Sequence, residues 1–481
     1  MFNFKDCLDS VGEVGLVEEI HHSIVYVSGL PKLKPDEIVV FENGQIGETL
    51  SLSKDSAEIL ILSEKNVKVG DKLARTNKFL SIELSDEILG KVIDPLGNSL
   101  NETKYKVSRG MKLNSPPPDL MSRKPISESL ETGVSLVDLI IPIGVGQREL
   151  IIGDRKTGKT QFFIRTILNQ AQKGNICIYA SIGKKIDEIK EILEGLKKKG
   201  IADKCIVVAS SASDAPGLIF ITPYTAMAIA EYFKDQGKNV ILILDDLTNH
   251  AVYYRQISLL AGRFPGRNSY PGDIFYVHSR LLERAGNFKT GSITCFPVAE
   301  SILGDLSGYI QTNLMSITDG HIFFDSEMAN LGRRPAINPF LSVTRVGQQS
   351  QTQLVREISR ELSSFLISTE ELQGFLHFGA ELSEEISQKI KLGNRILDFF
   401  NQPVDTVPIN MSILIISMLW IGTWRDQKTI DMKSKMKKMI LDYDSNAQFK
   451  KAIDDLILKT NSFRDFLNSL REGSYGQQNY Y

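Results

Sequence analysis

Residues 149–160 read Glu149-Leu150-Ile151-Ile152-Gly153-Asp154-Arg155-Lys156-Thr157-Gly158-Lys159-Thr160. An apolar run with the look of a buried strand leads into Gly-x-x-x-x-Gly-Lys-Thr, and a helix-like apolar run from Phe162 to Ile167 follows. This is the P-loop pattern in the context it requires, strand, loop and helix. Gly153 and Gly158 let the backbone turn tightly and come close to phosphate oxygens. The N–H groups of Asp154, Arg155, Lys156 and Thr157, with the N-terminus of the next helix, form an anion cradle. Lys159 supplies a point charge for β- and γ-phosphates, and Thr160 offers a hydroxyl to Mg²⁺. The pattern says that a nucleoside triphosphate binds and leaves its use to be decided elsewhere in the chain.

A chain of 481 residues has room for about three domains. Lys/Arg and Asp/Glu are intermixed and sum to a net charge of −2, so no basic tail or stripe favours nucleic acid. Cys7, Cys177, Cys205 and Cys295 are far apart and form no Cys-x-x-Cys pair. Cys177 and Cys205 lie in apolar strand-like runs, as buried thiols in a reducing compartment would. The first ten residues have neither signal-peptide nor transit-peptide character. The longest apolar run, 409–424, is interrupted by Asn410, Ser412 and Ser417, which favours a buried helix over a membrane span. Membrane contact is therefore expected only through partners.

Along the chain three patterns succeed one another. Residues 1–80 carry short β runs separated by Gly and Pro, predicting a small β-barrel able to act as a collar. Residues 81–345 begin with a connector that includes Pro116-Pro117-Pro118 and then alternate strands with helices. Strands are predicted at 149–152, 176–180, 205–209, 239–244, 292–296 and 320–324, and helices at 160–171, 185–199, 216–235 and 279–285. That alternation predicts a mostly parallel sheet in an α/β nucleotide-binding domain. Residues 346–481 predict a helical domain, with helices at 357–366, 381–402, 412–423 and 449–470.

Asn239-Val240-Ile241-Leu242-Ile243-Leu244-Asp245-Asp246 is a buried strand ending in acid, the Walker B pattern. Asp245 is assigned to Mg²⁺, directly or through water; Asp246 has a plain alternative as a solvated or helix-capping carboxylate. Hydrolysis also needs a group to activate water, usually a carboxylate or Gln. The segment where one is expected reads Tyr179-Ala180-Ser181-Ile182-Gly183-Lys184-Lys185 and contains no acid. The site is then expected to bind nucleotide and turn it over poorly, unless Asp187 or Glu188 serves as the base.

These residues, taken together, resemble the alpha subunits of F-type ATP synthases. The loop is similar to the alpha P-loop with Lys156 in place of Gln, and unlike the beta loop. Ser211-Ala212-Ser213-Asp214, Pro223-Tyr224, the run from Ala251 to Ala285, Ser316-Ile317-Thr318-Asp319-Gly320 and Arg334-Pro335-Ala336-Ile337-Asn338 follow the alpha pattern over residues 11–425. The resemblance implies a three-domain subunit alternating with beta in a ring around a gamma shaft, on the cytoplasmic side of the cell membrane. It implies ATP or ADP with Mg²⁺ as ligand, with Arg334, Pro335 and Gln402 near the nucleotide. At Gly183-Lys184-Lys185, beta subunits carry their water-activating Glu and alpha subunits usually carry Gly-Gln-Lys. Ser342-Val343-Thr344-Arg345-Val346-Gly347 matches the alpha segment whose Arg reaches into the beta catalytic site, which makes Arg345 an arginine finger in trans.

The chain departs from the pattern at Ala329, where an aromatic ring is common, and at Val404, where a second glutamine is usual; both lower the expected selectivity for adenine. The stretch before the barrel is shorter than usual, which bears on holding the delta stator subunit. The acids of Glu381-Leu382-Ser383-Glu384-Glu385 fit either a shaft-contacting loop or a solvated helix start. Two other readings stand beside the ring subunit: a self-sufficient hexameric transport or secretion ATPase, and a non-enzymatic nucleotide-binding scaffold.

Overall fold

The computed structural model describes residues 3–63, 67–100, 108–376, 383–401 and 406–472. The chain divides into two compact units, one of residues 1–124, 175–301 and 305–318, the other of residues 125–174, 302–304 and 319–481.

The first unit opens with a helix, Phe4–Val11, held by the Asn3 side chain at its start and by left-handed Gly12 at its end. No periodicity in the sequence had predicted it. A closed six-stranded barrel follows, built from Val14–His21, Ile24–Ser28, Glu37–Phe41, Ile46–Leu52, Ala57–Ile61 and Lys72–Phe79. Val17, Val25, Val27, Val39, Phe41, Ile59 and Leu73 form its core, and closure leaves no free sheet edge. The connector is not wholly irregular, because Ser81–Leu84 pairs antiparallel with Arg109–Lys112.

The same unit contains a parallel run of strands in the order Ser292–Glu300, Asn239–Asp245, Ile176–Lys184, Cys205–Ser211 and Val92–Ile93. These strands are almost continuously apolar and buried, as parallel strands covered on both faces must be. Crossover helices Ile186–Lys198 and Pro216–Asp235 connect them, with Leu247–Leu260, Ile274–Leu282 and Tyr309–Ile317 beyond. The helix expected at 279–285 ends at Leu282 and begins five residues earlier, at Ile274. Cys177, Cys205 and Cys295 are buried free thiols.

In the second unit Glu149–Gly153 runs parallel to Gly320–Phe324, which pairs antiparallel with Val343–Thr344. Helix Lys159–Gln172 follows the P-loop strand. Toward the C-terminus lie Gln353–Leu376, Glu384–Phe400, Ile409–Trp420, Thr429–Ser445, Ala447–Lys459 and Phe463–Glu472. Ile409–Trp420 is buried along most of its length, and its serines are satisfied: Ser412 Oγ bonds Ser135 Oγ at 2.9 Å and Ser417 Oγ donates to the Ile413 carbonyl at 2.8 Å. No described helix is long and apolar enough to cross a membrane. Barrel, parallel α/β sheet and C-terminal helices are the architecture read from the sequence.

Candidate nucleotide-binding site

The P-loop takes its shape from two steric demands. Gly153 pairs with Phe324, and a Cβ there would lie 2.4 Å from the Phe324 carbonyl oxygen, so only glycine fits. Lys156 (φ 62°) and Gly158 (φ 101°) adopt left-handed backbone that curls the loop back to the start of helix Lys159–Gln172. The Thr157 hydroxyl donates to the Asp154 carbonyl at 2.8 Å and ties the loop across itself. Gly304 N–H donates to both Asp154 carboxylate oxygens at 3.1 Å. The Lys159 ammonium folds over the loop, donating to the carbonyls of Gly153 (2.7 Å) and Asp154 (2.6 Å). Arg155 and Lys156 are exposed, and Thr160 is half-buried in the first helical turn. Loop N–H groups, the helix N-terminus and an ammonium thus gather positive potential at one place, which is the chemistry of a polyphosphate site.

Arg345 stands exposed just after Val343–Thr344. Its backbone N–H donates to the Asp319 carbonyl at 3.0 Å. The Asp319 carboxylate is gripped by Arg148, with Nε–Oδ2 3.0 Å, Nη2–Oδ1 2.8 Å and a further bond of 2.9 Å from the Arg148 backbone. The Thr344 hydroxyl donates to the Pro142 carbonyl at 2.9 Å and receives Gly347 N–H at 3.1 Å. A Cβ at Gly347 would come within 1.7 Å of that same Pro142 oxygen, so the turn after the arginine demands glycine. Nearby Glu149 is fully buried and accepts from Gln147 Nε2 at 2.6 Å; burial pushes its carboxyl well above the ordinary range, the Arg345 guanidinium pulling the other way. The arginine is mounted on a stiff base.

In the first unit, Asp245 ends its strand opposite Ser181 of Ile176–Lys184. Lys184 comes off the end of that neighbouring strand and pairs with both acids, Nζ lying 2.9 Å from Asp245 Oδ1 and 3.2 Å from Asp246 Oδ2. The other Asp245 oxygen accepts the Tyr179 hydroxyl. Asp246 is not solvated: fully buried, it caps helix Leu247–Leu260 through the Asn249 N–H at 2.6 Å. Burial raises the Asp246 carboxyl to about 6 although Lys184 opposes the shift. Burial disfavours the Lys184 charge, but Asp245 and Asp246 outweigh it and hold its pKa above the ordinary value. Asp187 and Glu188 are exposed in the first turn of Ile186–Lys198, where acids suit the helix dipole.

Thr160 has a hydroxyl fit to meet the Mg²⁺ of a bound nucleotide. Asp245 fits a metal poorly, since one oxygen carries an ammonium and the other a phenol hydroxyl. Arg334 is exposed, its guanidinium donating to the carbonyls of Ala329 (3.0 Å) and Arg333 (2.7 Å) and its N–H to Asn401 Oδ1 (3.2 Å). Pro335 follows it through a cis peptide bond. Gln402 and Val404 lie outside the described residues, as do Glu381 and Leu382. Two features escaped the sequence reading: the Lys184 ion pairs and the Arg148–Asp319 clamp. The clamp joins residues 171 positions apart, a separation at which spacing carries no signal.

Residues 133–344 match the model of the ATP synthase alpha/beta family, nucleotide-binding domain. The ATP synthase subunit alpha of Rickettsia bellii (strain OSU 85-389) is 41% identical over 434 residues, covering 87% of this chain and 84% of the relative. The chain belongs to the ATP synthase alpha-subunit family.

Proposed function

We propose that this chain is the nucleotide-binding, largely non-catalytic subunit of a rotary F-type ATP synthase. It alternates with beta subunits in a ring around a gamma shaft, with delta as a further partner. The complex couples ATP synthesis or hydrolysis to ion transport at the cytoplasmic face of the cell membrane. In this reading ATP or ADP binds through Gly153 to Thr160, with Thr160 open to the nucleotide's Mg²⁺ and Arg334, Pro335 and Gln402 toward the base. Arg345 reaches into the neighbouring beta site, where a fixed guanidinium neutralises charge spreading over the transferring phosphoryl group.

The observation that carries the non-catalytic assignment is Lys184. At the position where the family resemblance assigns a water-activating Glu to beta subunits, this chain has a lysine whose ammonium is bound to two carboxylates, and a protonated amine cannot accept water's proton. The purified chain alone is expected to retain nucleotide and hydrolyse ATP no faster than a Lys159→Ala control. Brisk turnover by the isolated chain would favour a self-sufficient ATPase instead. Stable nucleotide binding with no gain in turnover on adding beta and gamma would favour a non-enzymatic scaffold.

A further inference from the structure

We infer that the cavity between the barrel wall and the helices of the first unit binds a small aromatic carboxylate, its ring among Phe220, Tyr224 and Tyr254 and its head at Arg280. None of the residues lining this cavity belongs to the P-loop, and the inference does not rest on the nucleotide-site reading.

The cavity is a product of alternation on one side and helical spacing on the other. On strand Ile46–Leu52, Gly47 and Thr49 are buried in the barrel, so Glu48 and Leu50 face outward. Leu60 pairs with Glu48 from the next strand. Helix Pro216–Asp235 starts hard against this wall, since a Cβ at Gly217 would lie 2.6 Å from the Ile61 carbonyl oxygen and 2.9 Å from Leu60 Cγ. One turn on, Phe220 and Tyr224 line the space that opens, joined by Tyr254 of helix Leu247–Leu260 and Arg280 of helix Ile274–Leu282. The Phe220 ring stacks on Tyr254 (centroids 5.2 Å, planes 20° apart) and meets Tyr224 at 5.5 Å. Two adjoining lobes of about 200 Å³ each share Glu48 and Arg280 in their walls. An apolar cavity of about 150 Å³ accepts benzene, so one ring with a short head group fits.

The sign of the head group follows from which charges are already answered. Arg284, four residues past Arg280, is buried and gripped by Glu231 at 2.7 and 2.8 Å. Half-buried Arg280 has no ion pair or side-chain hydrogen bond among the described residues, nor has exposed Arg263 in the same wall. Lys112 adds a third positive charge at the outer lobe. The acids do not cancel these. Asp36 is exposed and takes the Asn114 amide at 3.3 Å. Burial, with Asp36 beside it, pushes the Glu48 carboxyl from 4.5 up to about 8, so at pH 7 it holds a proton and does not repel an anion. The Tyr224 hydroxyl has no hydrogen bond among the described residues and can donate to the same head group. An unanswered guanidinium beside stacked rings is a receptor for a carboxylate on an aromatic body.

The test is isothermal titration calorimetry of the purified full-length chain at pH 7 with phenylacetate, and with phenethylamine and 2-phenylethanol as cationic and neutral counterparts of similar size. Phenylacetate is expected to bind with a dissociation constant of about 1 mM or tighter, and at least about tenfold tighter than either counterpart. Arg280→Gln, which removes a charge that holds nothing else, is expected to weaken phenylacetate about tenfold or more. Leu50→Trp, which fills the cavity from the barrel wall, is expected to abolish binding. No phenylacetate binding below about 10 mM would overturn the proposal, whether or not the variants fold. Phenethylamine binding as tightly as phenylacetate would overturn it too, by making the acids the recognition element. So would an Arg280→Gln protein, folded by circular dichroism, that binds phenylacetate within about threefold of wild type.

Discussion

Arg75 and Glu37 face each other inside the barrel, 5% and 1% exposed, in a two-pronged pair of 3.0 and 3.1 Å. Glu37 also accepts Asn77 N–H at 2.7 Å, so the carboxylate joins strands as well as balancing a charge. Removing one member of such a pair strands the other in a poorly solvating interior. Arg75→Ala is expected to cost about 3–5 kcal/mol, measured by urea unfolding of the whole chain. A second buried group works through protons. His250 Nδ1 and His278 Nε2 are 3.1 Å apart, and His278 Nδ1 has no partner among the described residues. Burial lowers His250 from 6.5 to about 4, and burial with the neighbouring His250 lowers His278 further. Both rings are therefore neutral in the fold at a pH where the unfolded chain takes up protons. Their stabilising contribution is complete above about pH 6.5 and is lost as the pH falls toward 4, by about 3 kcal/mol for His250. Asp246 and Glu48, raised by burial to about 6 and about 8, act in the opposite sense, so the comparison must be between proteins. His278→Gln is expected to flatten the fall in Tm between pH 7 and pH 5 relative to wild type.

Among the elements, those whose pattern is local were legible in the sequence. The six parallel-type strands predicted from apolar runs are all present, because a strand buried on both faces must be apolar throughout. The P-loop helix was legible from its glycine and its first apolar turn. Helix Thr429–Ser445 was not: its buried stripe is Met432, Met436, Met439, Ile440 and Tyr443, diluted by lysines on the other face. The single helix expected at 449–470 is two, Ala447–Lys459 and Phe463–Glu472, because Thr460 leaves helical backbone and Ser462 then bonds Asp465 N–H at 3.1 Å to start again. Helix Ile409–Trp420 is the most continuously buried of the C-terminal set. Ile415 is 0% exposed there, and Ile415→Ala is expected to cost about 2–5 kcal/mol by the same urea measurement.

For the molecule as a whole, motifs named the candidate nucleotide-site residues, while their surroundings came from the fold. Gly153, Lys159 and Thr160 are spaced by the chemistry of phosphate binding and can be read from twelve residues. The stiff base of Arg345, built by Arg148, Asp319, Thr344 and Pro142, draws on segments far apart in sequence and could not be. Nor could the pairing of Lys184 with Asp245, which depends on two strands lying in register. The central claim is a division of labour, in which this chain lends a cation to a neighbour and splits no triphosphate itself. Its most direct test is steady-state ATP turnover of a ring reconstituted with beta and gamma subunits, comparing wild type with Arg345→Ala. The account predicts that the variant still assembles and binds nucleotide while turnover falls by about 10³–10⁵; turnover that survives unchanged in the assembled variant ring would contradict it.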